Sequence, residues 1–139
     1  MEFSGKKVLV VDDSEHVRFS QKLVFEELGF EVTTSDSGLD ALDKLKKSAF
    51  DLVSLDIIME NMDGIECYRK IKALYPQTEC ILVSILATEE RVVNRYSDEI
   101  GPVRFIAKPL TASELSSRLD NLFGSAEKRP QLSDNSTIG

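Results

Sequence analysis

The stretch KKVLVVDDSEHVRF, residues 6–19, decides the fold. It opens on KKVLVV (6–11), a short and nearly unbroken apolar run. A strand that is apolar at successive positions is covered on both faces, as in a parallel sheet with helices on either side. The run then stops on two adjacent carboxylates, Asp12 and Asp13, and passes into a helical pattern. Like charges side by side at a strand end repel each other. They are tolerated where water screens them or a cation sits between them.

The same alternation continues along the chain. Residues 15–28 set Val17, Val24, Phe25 and Leu28 on one helical face, and Gly29 stops that helix. FEVTTS (30–35) is rich in strand formers, and Ser37-Gly38 turns into a short helix over 39–47 with Leu42 and Leu45 inward. FDLVSLD (50–56) is a second apolar run ending in an acid. A helix over 64–74 places Ile65, Tyr68 and Ile71 at helical spacing before Pro76. ECILVS (79–84), a weaker helix over 88–100, the strand VRFIA (103–107) and a helix over 111–123 complete the series.

Five strand–helix units in about 120 residues predict an α/β fold. Right-handed crossovers make it a doubly wound, five-stranded parallel sheet with helices on both faces, for which the flavodoxin-like order 2-1-3-4-5 is expected. A single domain is expected over residues 1–124. Residues 125–139 (SAEKRPQLSDNSTIG) are polar and unpatterned and are expected to form a flexible tail.

Composition narrows the function classes. The net charge of -7 disfavours direct binding to nucleic acid or to an anionic membrane surface. No apolar run approaches a membrane span, and the N-terminus lacks a signal-peptide pattern, so a cytoplasmic setting is expected. Cys67 and Cys80 are far apart and read as buried free thiols rather than metal ligands.

Open α/β sheets bind ligands outside the carboxyl ends of their strands. Strand 1 ends on Asp12 and Asp13, strand 3 on Asp56, strand 4 on Ser84, and strand 5 runs into Lys108-Pro109. Taken singly, each has an ordinary reading: a helix cap, a turn, a strand-end hydroxyl. Together they bring three carboxylates, a hydroxyl and an ammonium to one rim. Three carboxylates suit a hard cation, Mg²⁺ above all, while Lys108 and Ser84 suit the oxygens of a phosphoryl group.

At these residues the chain resembles the response-regulator receiver domains, the CheY-like family of two-component signalling. VLVVDDS, SLDIIMENMDGIE and RFIAKPL match its three signatures in order and spacing, and the likeness covers residues 5 to about 123. The resemblance implies that Asp56 accepts a phosphoryl group and that Asp12, Asp13 and Asp56 hold Mg²⁺ with the carbonyl of Ile58. It implies that Ser84 is the switch hydroxyl, Phe105 the switch aromatic turning inward, and Lys108 the phosphate-binding lysine before a cis Lys108–Pro109 peptide. The donor would be a histidine kinase or histidine phosphotransferase. The target would be a downstream protein met by helix 4, strand 5 and helix 5, the receiver being a monomer or weak homodimer. The protein would be no enzyme beyond its own phosphorylation and dephosphorylation.

Several positions depart from the family pattern. Ser84 stands where Thr is common, Phe105 where chemotaxis receivers have Tyr, and Glu60 where a Pro is usual. Ile58 and Leu86 occupy positions that are often polar, and apolar groups there are expected to shield an acyl phosphate from water. His16, the single histidine, is expected at the surface near the rim, and Lys44, Lys46 and Lys47 on a solvated helix face. Residues 84–101 are about two longer than usual, and Arg91, Arg95 and Tyr96 there offer a candidate partner face.

Three other readings compete. A dehalogenase-type phosphatase would need an acid two residues after its nucleophile, where Ile58 stands, and a cap insertion. A flavodoxin would need a Ser/Thr/Gly-rich phosphate loop after strand 1, where the chain has DDSEHV. A receiver that is never phosphorylated and serves as an interaction scaffold is the remaining alternative.

Overall fold

The computed structural model describes residues 2–124; the expected tail, 125–139, lies outside them. The strands are β1 (Lys7–Val11), β2 (Glu31–Ser35), β3 (Leu52–Leu55), β4 (Glu79–Ser84) and β5 (Phe105–Ala107). The helices are α1 (Glu15–Glu27), α2 (Gly38–Lys47), α3 (Gly64–Leu74), α4 (Glu90–Arg95) and α5 (Ala112–Leu119). All pairings are parallel, in the order β2-β1-β3-β4-β5, as the sequence predicts.

The apolar runs divide by strand period between two cores. Leu9 and Val11 of β1, Val53 and Leu55 of β3, and Cys80 and Leu82 of β4 pack with Ala41 and Leu45 of α2 and Ile65, Tyr68 and Ile71 of α3. Their neighbours Val8, Val10, Leu52, Ile81 and Val83 face the other way, onto Phe25 of α1 and Leu115 and Leu119 of α5. β1, β3 and β4 are therefore covered on both faces. Edge strand β2 instead alternates exposed and covered residues along most of its length. Burying Phe25 alone is worth about 2–3 kcal/mol, and its ring meets Phe30 edge-on at 5.4 Å.

Side-chain caps fix where four helices begin. Ser14, Ser37, Asp63 and Thr111 each accept a hydrogen bond from the backbone N–H three residues on. Gly29, with φ 104°, follows the end of α1 and adopts the left-handed geometry a helix stop uses. Among the described residues no helix is long and apolar enough to cross a membrane.

Two elements are shorter than the sequence predicts. In place of a helix over 88–100 there is a 3₁₀ turn, Ile85–Thr88, followed by only six residues of α4. Glu89 gives α4 no side-chain cap, and the Ser97 hydroxyl donates to the Asn94 carbonyl at 3.0 Å, competing with helix propagation. Strand VRFIA shrinks to Phe105–Ala107, because Pro102–Arg104 form a 3₁₀ turn entered from Gly101 at φ 88°.

The join between β3 and α3 is unusually close. The Gly64 N–H donates to the Ile57 carbonyl at 2.8 Å, and a Cβ on Gly64 would lie 2.1 Å from the Asp56 carbonyl oxygen. We predict that Gly64→Ala destabilises the fold by about 3 kcal/mol in urea denaturation, as overpacking against backbone does. Gly38→Ala meets only the flexible Met62 side chain, at 2.8 Å from Sδ, and is expected to cost less. Equal costs would refute the contact as the reason for glycine at position 64.

Candidate functional site

The carboxyl edge of the sheet is built one ladder step beyond its strands. The Asp12 N–H donates to the Ser35 carbonyl at 3.1 Å and the Asp56 N–H to the Val11 carbonyl at 3.1 Å. The Lys108 N–H likewise donates to the Ser84 carbonyl at 3.3 Å. The ladder that aligns the strands thus aligns the side chains at their ends.

Asp12, Asp13 and Asp56 meet there, each offering a carboxylate oxygen within 4.8 Å of the others. Asp12 is 1% exposed and Asp56 8%, while Asp13 faces solvent. Lys108 lies between the two buried acids, its Nζ 2.9 Å from Asp12 Oδ2 and 3.2 Å from Asp56 Oδ2. Asp12 is the most tightly held: Oδ1 accepts from the Ser14 N–H at 2.9 Å, and its carbonyl accepts from Arg18 Nη1 at 2.7 Å. Asp56 Oδ1 accepts only a long bond, 3.4 Å, from the Ile58 N–H. The Lys108–Pro109 peptide is cis, as the family likeness implies.

Electrostatics follow from this layout. Burial, helped by the Asp12 charge and opposed by Lys108, raises the Asp56 carboxyl above its ordinary value. Burial works against the Lys108 ammonium, but its hydrogen bond to Asp12 and the charges of Asp56 and Asp12 outweigh that and raise its pKa. One ammonium facing three carboxylates leaves negative charge in excess. That surplus, with oxygen ligands on adjacent strand ends, suits a divalent cation.

The remaining predicted residues differ in placement. Ser84 is fully buried, and its hydroxyl oxygen accepts from the Leu86 N–H at 3.3 Å, capping the 3₁₀ turn. Phe105 is buried in the core, against which Val92, Val93 and Tyr96 pack. Ile58 is 55% exposed at the rim and Leu86 half-buried. His16 is exposed beside the site. Cys67 and Cys80 are free and buried, which pushes both thiols up to about 12 and leaves them inert.

Sequence reasoning missed Gly64 and Arg18. Gly64, in the quoted DGIE, was readable as a glycine opening a helix just after an acid-ended strand. Arg18 had no such signal, since its bond to the Asp12 carbonyl depends on where α1 is set.

A raised carboxyl pKa means that the folded state binds its proton more tightly than the unfolded chain. The stability this confers is present below the ordinary value of 3.8 and lost as pH rises through the folded value. At neutral pH the ionised Asp56 therefore weakens the metal-free fold. We predict that Asp56→Asn, in EDTA at pH 7, raises the melting temperature by roughly 4 °C, equivalent to about 1 kcal/mol. The gain should shrink as pH falls through the carboxylate range, and a gain independent of pH would contradict this origin.

Comparisons with known proteins agree with this geometry. Residues 8–120 match the family model described as the response regulator receiver domain. The chemotaxis protein CheY of Bacillus subtilis (strain 168) is 33% identical over 110 residues, covering 78% of this chain and 90% of that protein. A CheY-like receiver from Methanospirillum hungatei JF-1 superposes with a TM-score of 0.76 at 29% identity, covering 89% of this chain and 98% of that one. Thermotoga maritima TrrA, solved in complex with Mg(2+)-BeF, gives a TM-score of 0.70 at 28% identity, covering 85% and 99%. The chain belongs to the CheY-like response regulator receiver domain family, whose members are not enzymes apart from the chemistry of their own phosphorylation.

Proposed function

We propose that this protein is a cytoplasmic response regulator that takes a phosphoryl group on Asp56 from a histidine kinase or histidine phosphotransferase. The reading rests above all on one observation: Lys108 bridges Asp56 and Asp12 in a pocket of three carboxylates. Asp12, Asp13, Asp56 and the Ile58 carbonyl are the groups that would hold Mg²⁺. When bound, Mg²⁺ supplies charge neutralisation for the phosphoryl oxygens.

The steps then belong to the chain's own residues. Asp56 Oδ attacks phosphorus while the donor's P–N bond breaks, and the bonding pair returns to the imidazole. The loose transition state gains chiefly from positioning and charge stabilisation. Lys108 supplies both, since Asp12 holds it beside the Asp56 oxygen that reacts or its twin. The acyl phosphate carries up to about two negative charges where the carboxylate carried one, so the rim gains roughly one. That group competes with Asp12 for Lys108.

The switch we infer joins Phe105, whose ring is buried in the core, to Ser84. Turning its hydroxyl toward the phosphoryl group withdraws the cap from the Leu86 N–H and loosens the Ile85–Thr88 turn. That turn leads into α4, whose Val92 and Val93 are only partly buried against the core. A coupling of about 1–3 kcal/mol through this segment shifts partner affinity by one to two decades. A protein donor has apolar surface to meet: Phe19 and Ile85 are exposed, the latter lining a cavity of about 310 Å³ with His16, Gln21 and Lys108.

The deciding measurement is intact mass after incubation with Mg²⁺ and acetyl phosphate. We predict one phosphoryl adduct on the wild type, and none on Asp56→Asn or in EDTA. No adduct, repeated with a panel of histidine kinases as donors, would favour the unphosphorylated scaffold. Ile58 should shield the acyl phosphate, so Ile58→Asn is predicted to speed phosphate loss by roughly threefold or more, less than 1.4 kcal/mol of barrier for changes under tenfold. An unchanged lifetime would remove that role.

A further inference from the structure

A second feature lies outside the carboxylate site, between α2 and α3. Leu39 is 63% exposed and Leu74 61%, unusual values for leucines on helices that otherwise bury their apolar faces. With Leu42 and Tyr75 they line a groove of about 530 Å³. Leu39, Leu42 and Lys46 lie at i, i+3 and i+7 on one side of α2, and the far wall is the last turns of α3. A smaller cavity of about 280 Å³ at the foot of α2 shares Lys46 and Tyr75, so the concave surface continues past the helix end.

The rim carries the charge that identifies an occupant. Lys46 and Lys70 flank the leucines, and neither has an ion-pair partner among the described residues. Asp43, also on the rim, is paired with Lys47 at 3.0 Å. The groove is therefore a basic island on a chain whose net charge is -7. A second copy would bring Lys46 and Lys70 toward the same two lysines, which disfavours self-association through this face. Apolar floor and cationic rim are complementary to a helix with an apolar stripe flanked by carboxylates.

We propose that α2 and α3 form a docking groove for an acidic amphipathic helix of a partner protein. Its apolar side chains seat on Leu39, Leu42, Leu74 and Tyr75, and its carboxylates pair with Lys46 and Lys70. None of these residues belongs to the carboxylate site, so docking needs no phosphoryl group and stands or falls apart from the phosphorylation chemistry.

The test titrates the unmodified, ¹⁵N-labelled full chain with two synthetic helical peptides of about 18 residues. Both carry leucines at i, i+3, i+4 and i+7; one is flanked by glutamates, the other by lysines. Amide shifts are expected at Leu39, Leu42, Ala73 and Leu74, with the glutamate peptide bound on the order of tenfold more tightly. Lys46→Glu with Lys70→Glu should invert that preference. Leu39→Ser with Leu74→Ser should abolish binding of both peptides while the melting temperature stays near that of the wild type, since both leucines are exposed. The proposal is overturned by equal affinity for the two peptides, by shifts confined to other faces, or by no shift at millimolar peptide. Concentration-dependent self-association mapped to the same residues would overturn it in favour of a second copy, and binding to anionic vesicles without peptide binding in favour of a membrane.

Discussion

The ammonium of Lys108 between the carboxylates of Asp12 and Asp56 is the interaction around which the carboxyl edge is organised. β5 is two strands from β3, or roughly 10 Å at ordinary strand spacing. A long side chain is needed to cross that distance, and the intervening strand must end on something small. β4 ends on Ser84. Without the bridge, two nearly buried acids would face each other with no cation among the described residues, a costly arrangement in an interior of low polarity.

That arrangement also explains the unequal grip on the two acids. Asp12 has its carboxylate and its carbonyl tied by Ser14, Arg18 and Lys108, whereas Asp56 keeps one oxygen in a long bond to Ile58. A rigid acid suits holding and a loosely bonded one suits reaction. Stability is distributed to match. The strands behind the acids are buried on both faces, while α4 beside them has no fully buried residue.

Legibility along the chain follows the range of the interactions involved. The buried strands were readable because a strand covered on both faces must be apolar at every position, as Val8 to Val11 are. Helix starts were readable at Ser37 and in the sequence around Thr111, where a local side chain satisfies a local backbone group. Residues 88–100 form a shorter helix than expected because Glu89 supplies no side-chain cap and the Ser97 hydroxyl bonds back to the Asn94 carbonyl. The type of Phe105 was legible, whereas the burial of its ring is a matter of tertiary packing.

The sequence by itself determined the alternation of strand and helix, the parallel order of the sheet and the set of acids at the strand ends. The alternation and the acids rest on periodicity and on neighbours in the chain, and the strand order on the handedness of the crossovers and the flavodoxin-like arrangement. Only the tertiary structure decided that Gly64 must lack a side chain, that Arg18 braces Asp12, and that Leu39 and Leu74 line one groove. These depend on distances between elements far apart in the chain. Such distances are fixed when the two cores close on the sheet, and no local pattern encodes them.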